Sequence, residues 1–137
     1  MSTTNRIAHI AIVVEQLEDA LRFWRDALGL PLAHTEQNPA ENVAVAFLPV
    51  GESAIELLQP TDPESGIGKF LAKRGAGMHH ICLQVEDIAA TMERLRAHGV
   101  ELINETPRQR SDGTLYAFVH PKSAFGVLVE LYEVPAN

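Results

Sequence analysis

The sequence predicts an α+β fold: two tandem βαβββ modules whose strands pair into a curved, partly open mixed sheet. Three observations carry this expectation. The stretch His9-Ile-Ala-Ile-Val-Val-Glu15 returns as His80-Ile-Cys-Leu-Gln-Val-Glu86, shifted by 71 residues. The same shift relates Val45-Ala46-Phe47 to Tyr116-Ala117-Phe118. Each copy also holds one helix-sized amphipathic segment between strand-like runs. Self-similarity at a fixed spacing marks duplication of one supersecondary unit. Neither copy alone buries both its sheet and its helix, so the two are expected to form a single domain over 1–137. Its modules span about 6–60 and 77–134, with a linker helix near 62–75.

In the first module, Ile7 to Val14 is apolar and β-branched, a buried strand. Leu17, Ala20, Leu21, Trp24, Ala27 and Leu28 recur at helical spacing, with Trp24 in the buried stripe and Gly29 as the stop. Pro31 to Gln37 reads as a second strand before the Asn38-Pro39 turn. Asn42 to Leu48 and Ala54 to Gln59 form a hairpin around Gly51-Glu52. For the linker, Asp62 caps a short helix with Pro63 at its first position, running to Lys73 and closed by Gly75.

The second module repeats the order. Met78 to Glu86 is a strand, and Ile88, Met92 and Leu95 mark a helix ended by Gly99. Its polar face carries Glu93, Arg94 and Arg96. Val100 to Thr106 is a strand and Asp112-Gly113 a turn. Thr114 to Val119 and Gly126 to Glu133 close a hairpin whose loop, His120 to Phe125, is longer than its counterpart.

Charge and cysteine usage narrow the function classes. A net charge of −7 leaves no basic surplus for nucleic acid or an anionic membrane. The lone Cys82 excludes an internal disulfide and a cysteine-cluster metal site. No leader-like or membrane-length apolar stretch is read, so a reducing, cytoplasmic setting is expected.

Four residues stand out chemically. His9 and His80 occupy the same place in the two first strands. Glu56 and Glu130 each interrupt an otherwise apolar last strand, a placement that costs several kcal/mol unless a cation compensates it. One such residue is ordinarily a structural histidine or an outward-facing glutamate. Recurrence of all four at duplicated positions fits a divalent metal site with the sheet wrapped around it. Two imidazoles and two carboxylates suit Zn²⁺, Co²⁺, Ni²⁺, Fe²⁺ or Mn²⁺, whereas Mg²⁺ and Ca²⁺ prefer oxygen alone. His79 alternates to the opposite face and is not expected to join.

These residues resemble the vicinal oxygen chelate superfamily, and within it the chain is similar to the methylmalonyl-CoA epimerases. The matching motifs are His-Ile-Ala-Ile-Val-Val at 9–14, Phe-Leu-Pro-Val-Gly at 47–51 and Ile-Glu-Leu-Leu-Gln-Pro at 55–60. They continue with Gly-Lys-Phe-Leu-Ala-Lys at 68–73, Gly-Met-His-His-Ile-Cys at 77–82 and His-Pro-Lys-Ser at 120–123. The strand motifs belong to the superfamily at large. The linker helix followed by Gly-Met-His-His, together with His-Pro-Lys-Ser, points to the epimerases.

The resemblance implies interconversion of (2R)- and (2S)-methylmalonyl-CoA by α-proton abstraction, with His9, Glu56, His80 and Glu130 holding a divalent ion, cobalt first among the candidates. Chelation of both substrate oxygens would stabilise the developing enolate. Some epimerases carry a glutamate base on the third strand and a glutamine at the position of Glu56. Here Val45 stands on the third strand, so Glu56 and Glu130 are assigned as ligands and bases together, Glu130 foremost. Lys122 and Ser123 are candidates for contacting CoA, with Arg108 and Arg110 as further cations near it. A homodimer with a small acyl-CoA substrate is expected. The alternatives are a glyoxalase I-type lactoylglutathione lyase, which shares the ligand set, and a metal-free drug-binding protein, which has no need of four ligands. An extradiol dioxygenase would leave Glu56 surplus.

Overall fold

A computed structural model describes residues 4–135 and resolves an α+β chain of eight strands. Its described residues group into two units, His9–His79 and a second formed by 80–135 together with 4–8.

In the first unit the strands lie in the order β2 (His34–Asn38), β3 (Val43–Val50), β4 (Ser53–Pro60), β1 (Thr4–Val13). β3 runs antiparallel to both β2 and β4, and β1 runs parallel to β4. The alternation of β3 explains its continuous apolar run. Ala46 and Leu48 join Leu57, Leu21 and Val14 on one face, where Trp24 packs half-buried from the first helix. Val43 and Val45 join Ala11, Val13 and Leu58 on the other, covered by Ile67, Phe70 and Leu71 of helix α2 (Gly66–Arg74).

The second unit repeats this plan. β6 (Arg108–Gln109), β7 (Leu115–Val119), β8 (Val129–Glu133) and β5 (Gly77–Val85) are neighbours in that order. β8 is antiparallel to β7 and parallel to β5. Ile88 and Met92 of helix α3 (Ile88–Ala97) close a core with Val85, Ala117, Val119 and Leu131.

Each unit fastens its helix to its last strand with one side chain. Gln59 Oε1 accepts the Leu17 N–H at 2.8 Å, and Glu133 Oε1 accepts the Ile88 N–H at 2.8 Å. The first-turn N–H groups of a helix lack internal partners, so these contacts satisfy a donor while fixing helix against sheet. The two residues are related by the same shift of 74 that relates Glu56 to Glu130.

Several elements depart from the sequence expectation. The first helix is α-helical over Leu17–Leu21 (α1) and π-helical over Arg22–Ala27, with Leu28 N–H bonded to Phe23 O. The wider turn rotates later positions off the stripe, leaving Leu28 53% exposed. β2 begins at His34 rather than Pro31, because Leu30 N–H still bonds Trp24 O and ladder pairing starts only at Ala33.

The linker helix is capped by Ser65, not Asp62: Ser65 Oγ accepts the Gly68 N–H, while Asp62 Oδ1 accepts the Glu64 N–H in the turn before it. Gly68 sits directly against the Asp62 and Pro63 backbone, where a Cβ would collide. Val100 to Thr106 is not a regular strand. Asn104 Oδ1 takes the Phe118 N–H in place of a backbone carbonyl, and only Leu102 bridges to Val119. The short β6 forms after Pro107 instead. Gly29, Gly75 and Gly99 all take positive φ where helix stops were expected. Among the described residues, no helix is long and apolar enough to cross a membrane.

Candidate active site

The α1 face of the first unit and the α3 face of the second are filled with apolar side chains, and the chemically distinctive polar residues lie on the opposite faces, in the first unit beside the apolar residues under α2. His9 alternates with Ile10 and Ile12, and Glu56 with Ile55 and Leu57, which places both polar residues on the face away from α1. His9 Nδ1 lies 3.0 Å from Glu56 Oε2. Their side chains are 14% and 18% exposed. In the second unit His80 Nε2 lies 3.1 Å from Glu130 Oε1, and the Glu130 side chain is 2% exposed. The register is the same in both: Glu56 pairs with Ala11 and Glu130 with Cys82, each two residues beyond the histidine. The duplication seen in the sequence is therefore a duplication of one His–Glu contact within each unit.

The donor chemistry and spacing fit a divalent ion. Ligand atoms held about 2.1 Å from a metal at right angles lie about 3.0 Å apart, the separation found within each pair. The same distance is a hydrogen bond when the imidazole nitrogen carries its proton. His9 presents Nδ1 and His80 presents Nε2, so the two rings are turned differently within the shared register.

One partner in the second unit was not read from the sequence. Arg110 Nη2 contacts Glu130 Oε2 at 3.0 Å, and the guanidinium stacks over the Tyr116 ring at 4.1 Å. Both Glu130 oxygens thus meet a donor, which explains how the carboxylate tolerates near-complete burial. The His80 ring also stands perpendicular to the Phe118 ring, with centroids 5.8 Å apart. On the other strand face, the His79 ring packs against Phe70 of α2 at 4.9 Å. Val45 is buried on the Glu56 face among apolar side chains.

Lys122 and Ser123 fall in a short 3₁₀ turn, Pro121–Ala124, capped by His120 Nδ1 accepting the Lys122 N–H. Lys122 is exposed. Ser123 Oγ accepts the Glu101 N–H at 2.8 Å and so anchors the irregular segment before β6.

A family model for the glyoxalase/bleomycin resistance protein/dioxygenase superfamily matches residues 8–118. The chain belongs to this superfamily. Within it, the chain is 39% identical over 131 residues to the ethylmalonyl-CoA/methylmalonyl-CoA epimerase of Cereibacter sphaeroides, covering 94% of this chain and 98% of that one. The crystal structure of methylmalonyl-CoA epimerase from Mycobacterium tuberculosis superposes with a TM-score of 0.88 at 38% identity, covering 99% of this chain and 92% of that one. A variant of the Streptomyces coelicolor epimerase, in complex with 2-nitronate-propionyl-CoA, gives 0.86 at 37%, with 97% and 96% covered. Lactoylglutathione lyases match at lower identity, 32% and 27%. These findings agree with the superfamily resemblance read from the strand motifs, and with the subgroup indicated by Gly-Met-His-His and His-Pro-Lys-Ser.

Proposed function

We propose that this chain epimerises methylmalonyl-CoA, or a near 2-alkylmalonyl-CoA, at C2. The observation that carries the proposal is the duplicated His–Glu contact in a chain whose near-full-length relatives are epimerases of this substrate class. A C2 hydrogen between a thioester and a carboxylate is acidic enough for a positioned carboxylate to remove. Inversion then requires proton delivery from the other face. Glu56 and Glu130, equivalent in register, are assigned these two roles, one as the carboxylate that takes the C2 proton and the other as the carboxylic acid that returns one. The greater exposure of Glu56 and the two donors on Glu130 favour Glu56 as the carboxylate that moves more readily.

His9, Glu56, His80 and Glu130 are the residues assigned to hold a divalent ion, with cobalt as the leading candidate among N/O-binding metals. When bound, such an ion supplies Lewis-acid stabilisation of the enolate charge. Lys122 is assigned to the CoA end, supported by its exposed cationic side chain, and Ser123 to the same loop. A homodimer is part of the proposal, supported by the exposed Phe23 and Leu28 on the first helix. Methyl and ethyl substrates differ by one methylene, worth about 1–3 kcal/mol of discrimination, so turnover of both is compatible with one site.

The test supplies each pure epimer of methylmalonyl-CoA separately and follows the other. Both incubations are expected to reach the same mixture, to stop on chelation and to resume with added cobalt. Absence of interconversion, with consumption of the glutathione–methylglyoxal hemithioacetal instead, would assign the lyase activity.

A further inference from the structure

We propose that Arg110 is the positioning residue of Glu130, fixing the carboxylate through Oε2 so that Oε1 stays presented beside His80. The inference rests on Glu130 being a ligand in the metal centre proposed above. Its structural basis is a short, tightly bonded piece of chain. Arg110 follows the two-residue β6, whose pairing of Arg108 with Tyr116 and of Gln109 with Leu115 lays the segment along β7. A turn then locks Arg110 in place: its N–H bonds Thr114 O at 2.9 Å, and its carbonyl accepts the Gly113 N–H at 3.0 Å. Asp112 Oδ1 accepts the Thr114 N–H at 2.9 Å, and that bond holds the Asp112 carboxyl below its usual range. Gly113 sits at φ +92°, a conformation that L side chains rarely adopt. The side chain itself is steadied by the Tyr116 ring beneath the guanidinium.

Nothing in the duplication requires this arrangement. The matching place in the first unit is Asn38, opposite Val43 on β3 as Arg110 is opposite Thr114. Asn38 instead bonds Glu41, through Nδ2 to the carboxylate and through Oδ1 to the N–H. The guanidinium is thus an addition to one half of a symmetric plan, placed on the more deeply buried of the two glutamates. A side chain that fixes the free oxygen of a ligating carboxylate sets the direction of the other oxygen, and losing such support weakens metal binding by about 10–100-fold.

Calorimetric titration of purified apoprotein with Co²⁺ tests this without reference to turnover, using wild type, Arg110→Met and Arg110→Lys, each with its melting curve. Wild type is expected to bind one ion per chain. Arg110→Met is expected to bind about 10–100-fold more weakly. Arg110→Lys, which keeps the charge and loses the planar fork, is expected to fall between them. Wild-type affinity in a folded Arg110→Met would overturn the proposal while leaving the metal centre standing. If Arg110→Met does not fold, wild-type affinity in Arg110→Lys overturns it. No cobalt binding by wild type would overturn the metal centre and this inference together.

Discussion

Glu130→Gln is expected to remove most of the C2 proton transfer, lowering kcat by about 10²–10⁴-fold, while the chain still folds. The contrast follows from what surrounds the group. Glu130 accepts from Arg110 on one oxygen and meets His80 on the other. An amide of the same shape can turn its carbonyl oxygen to Arg110, which has donors only, and its NH₂ to His80 Nε2, which accepts in the alternative neutral tautomer. The amide keeps a partner for each of its two polar atoms, so the stability cost is expected to stay within about 1–3 kcal/mol. The carboxylate charge and its proton-accepting capacity are lost outright. Urea melts read alongside single-turnover kinetics check both halves. A folded Glu130→Gln variant with wild-type turnover would remove Glu130 from the proposed chemistry.

Glu56→Gln separates the two-glutamate scheme from a scheme with one base. Glu56 and His9 lie 3.0 Å apart at 18% and 14% exposure, so an amide retains the contact and the fold is expected to change by no more than about 1–3 kcal/mol. A loss of about 10²–10⁴-fold in kcat is expected, because the third-strand residue Val45 carries no carboxylate to replace Glu56. Near-normal turnover with metal still bound would eliminate Glu56 as a base and leave one face of C2 to another donor.

The pairs were legible in the sequence because duplication converts a weak clue into a strong one. A single histidine in an apolar strand says little, but His9 and His80 at one offset and Glu56 and Glu130 at another define equivalent sites. The structure gives both pairs the same register. Elements set by a contest among similar local signals were harder to read. Asp62 and Ser65 are both good caps. Ser65 takes the role in a turn that Asp62 itself stabilises, with Gly68 packed on the Asp62–Pro63 backbone.

Val100 to Thr106 has strand composition, yet one asparagine side chain substitutes for a ladder carbonyl and ends the regularity. In the sequence Arg110 is only a loose cation, because its pairing depends on a turn and a neighbouring strand. The usable clue was the buried glutamate itself, which demands a compensating cation and has Arg108 and Arg110 nearby on the adjoining chain. Gln59 and Glu133 carried a similar unread signal, as polar residues at matching ends of the two last strands.

Solvent exchange at C2 reports whether the protein removes that proton. Proton NMR of methylmalonyl-CoA in D₂O with purified protein is expected to show the C2 proton replaced by deuterium at a rate comparable to epimer interconversion. The exchange is expected to fall steeply in Glu130→Gln and in Glu56→Gln. Exchange no faster than in buffer alone would contradict epimerisation by proton abstraction at C2.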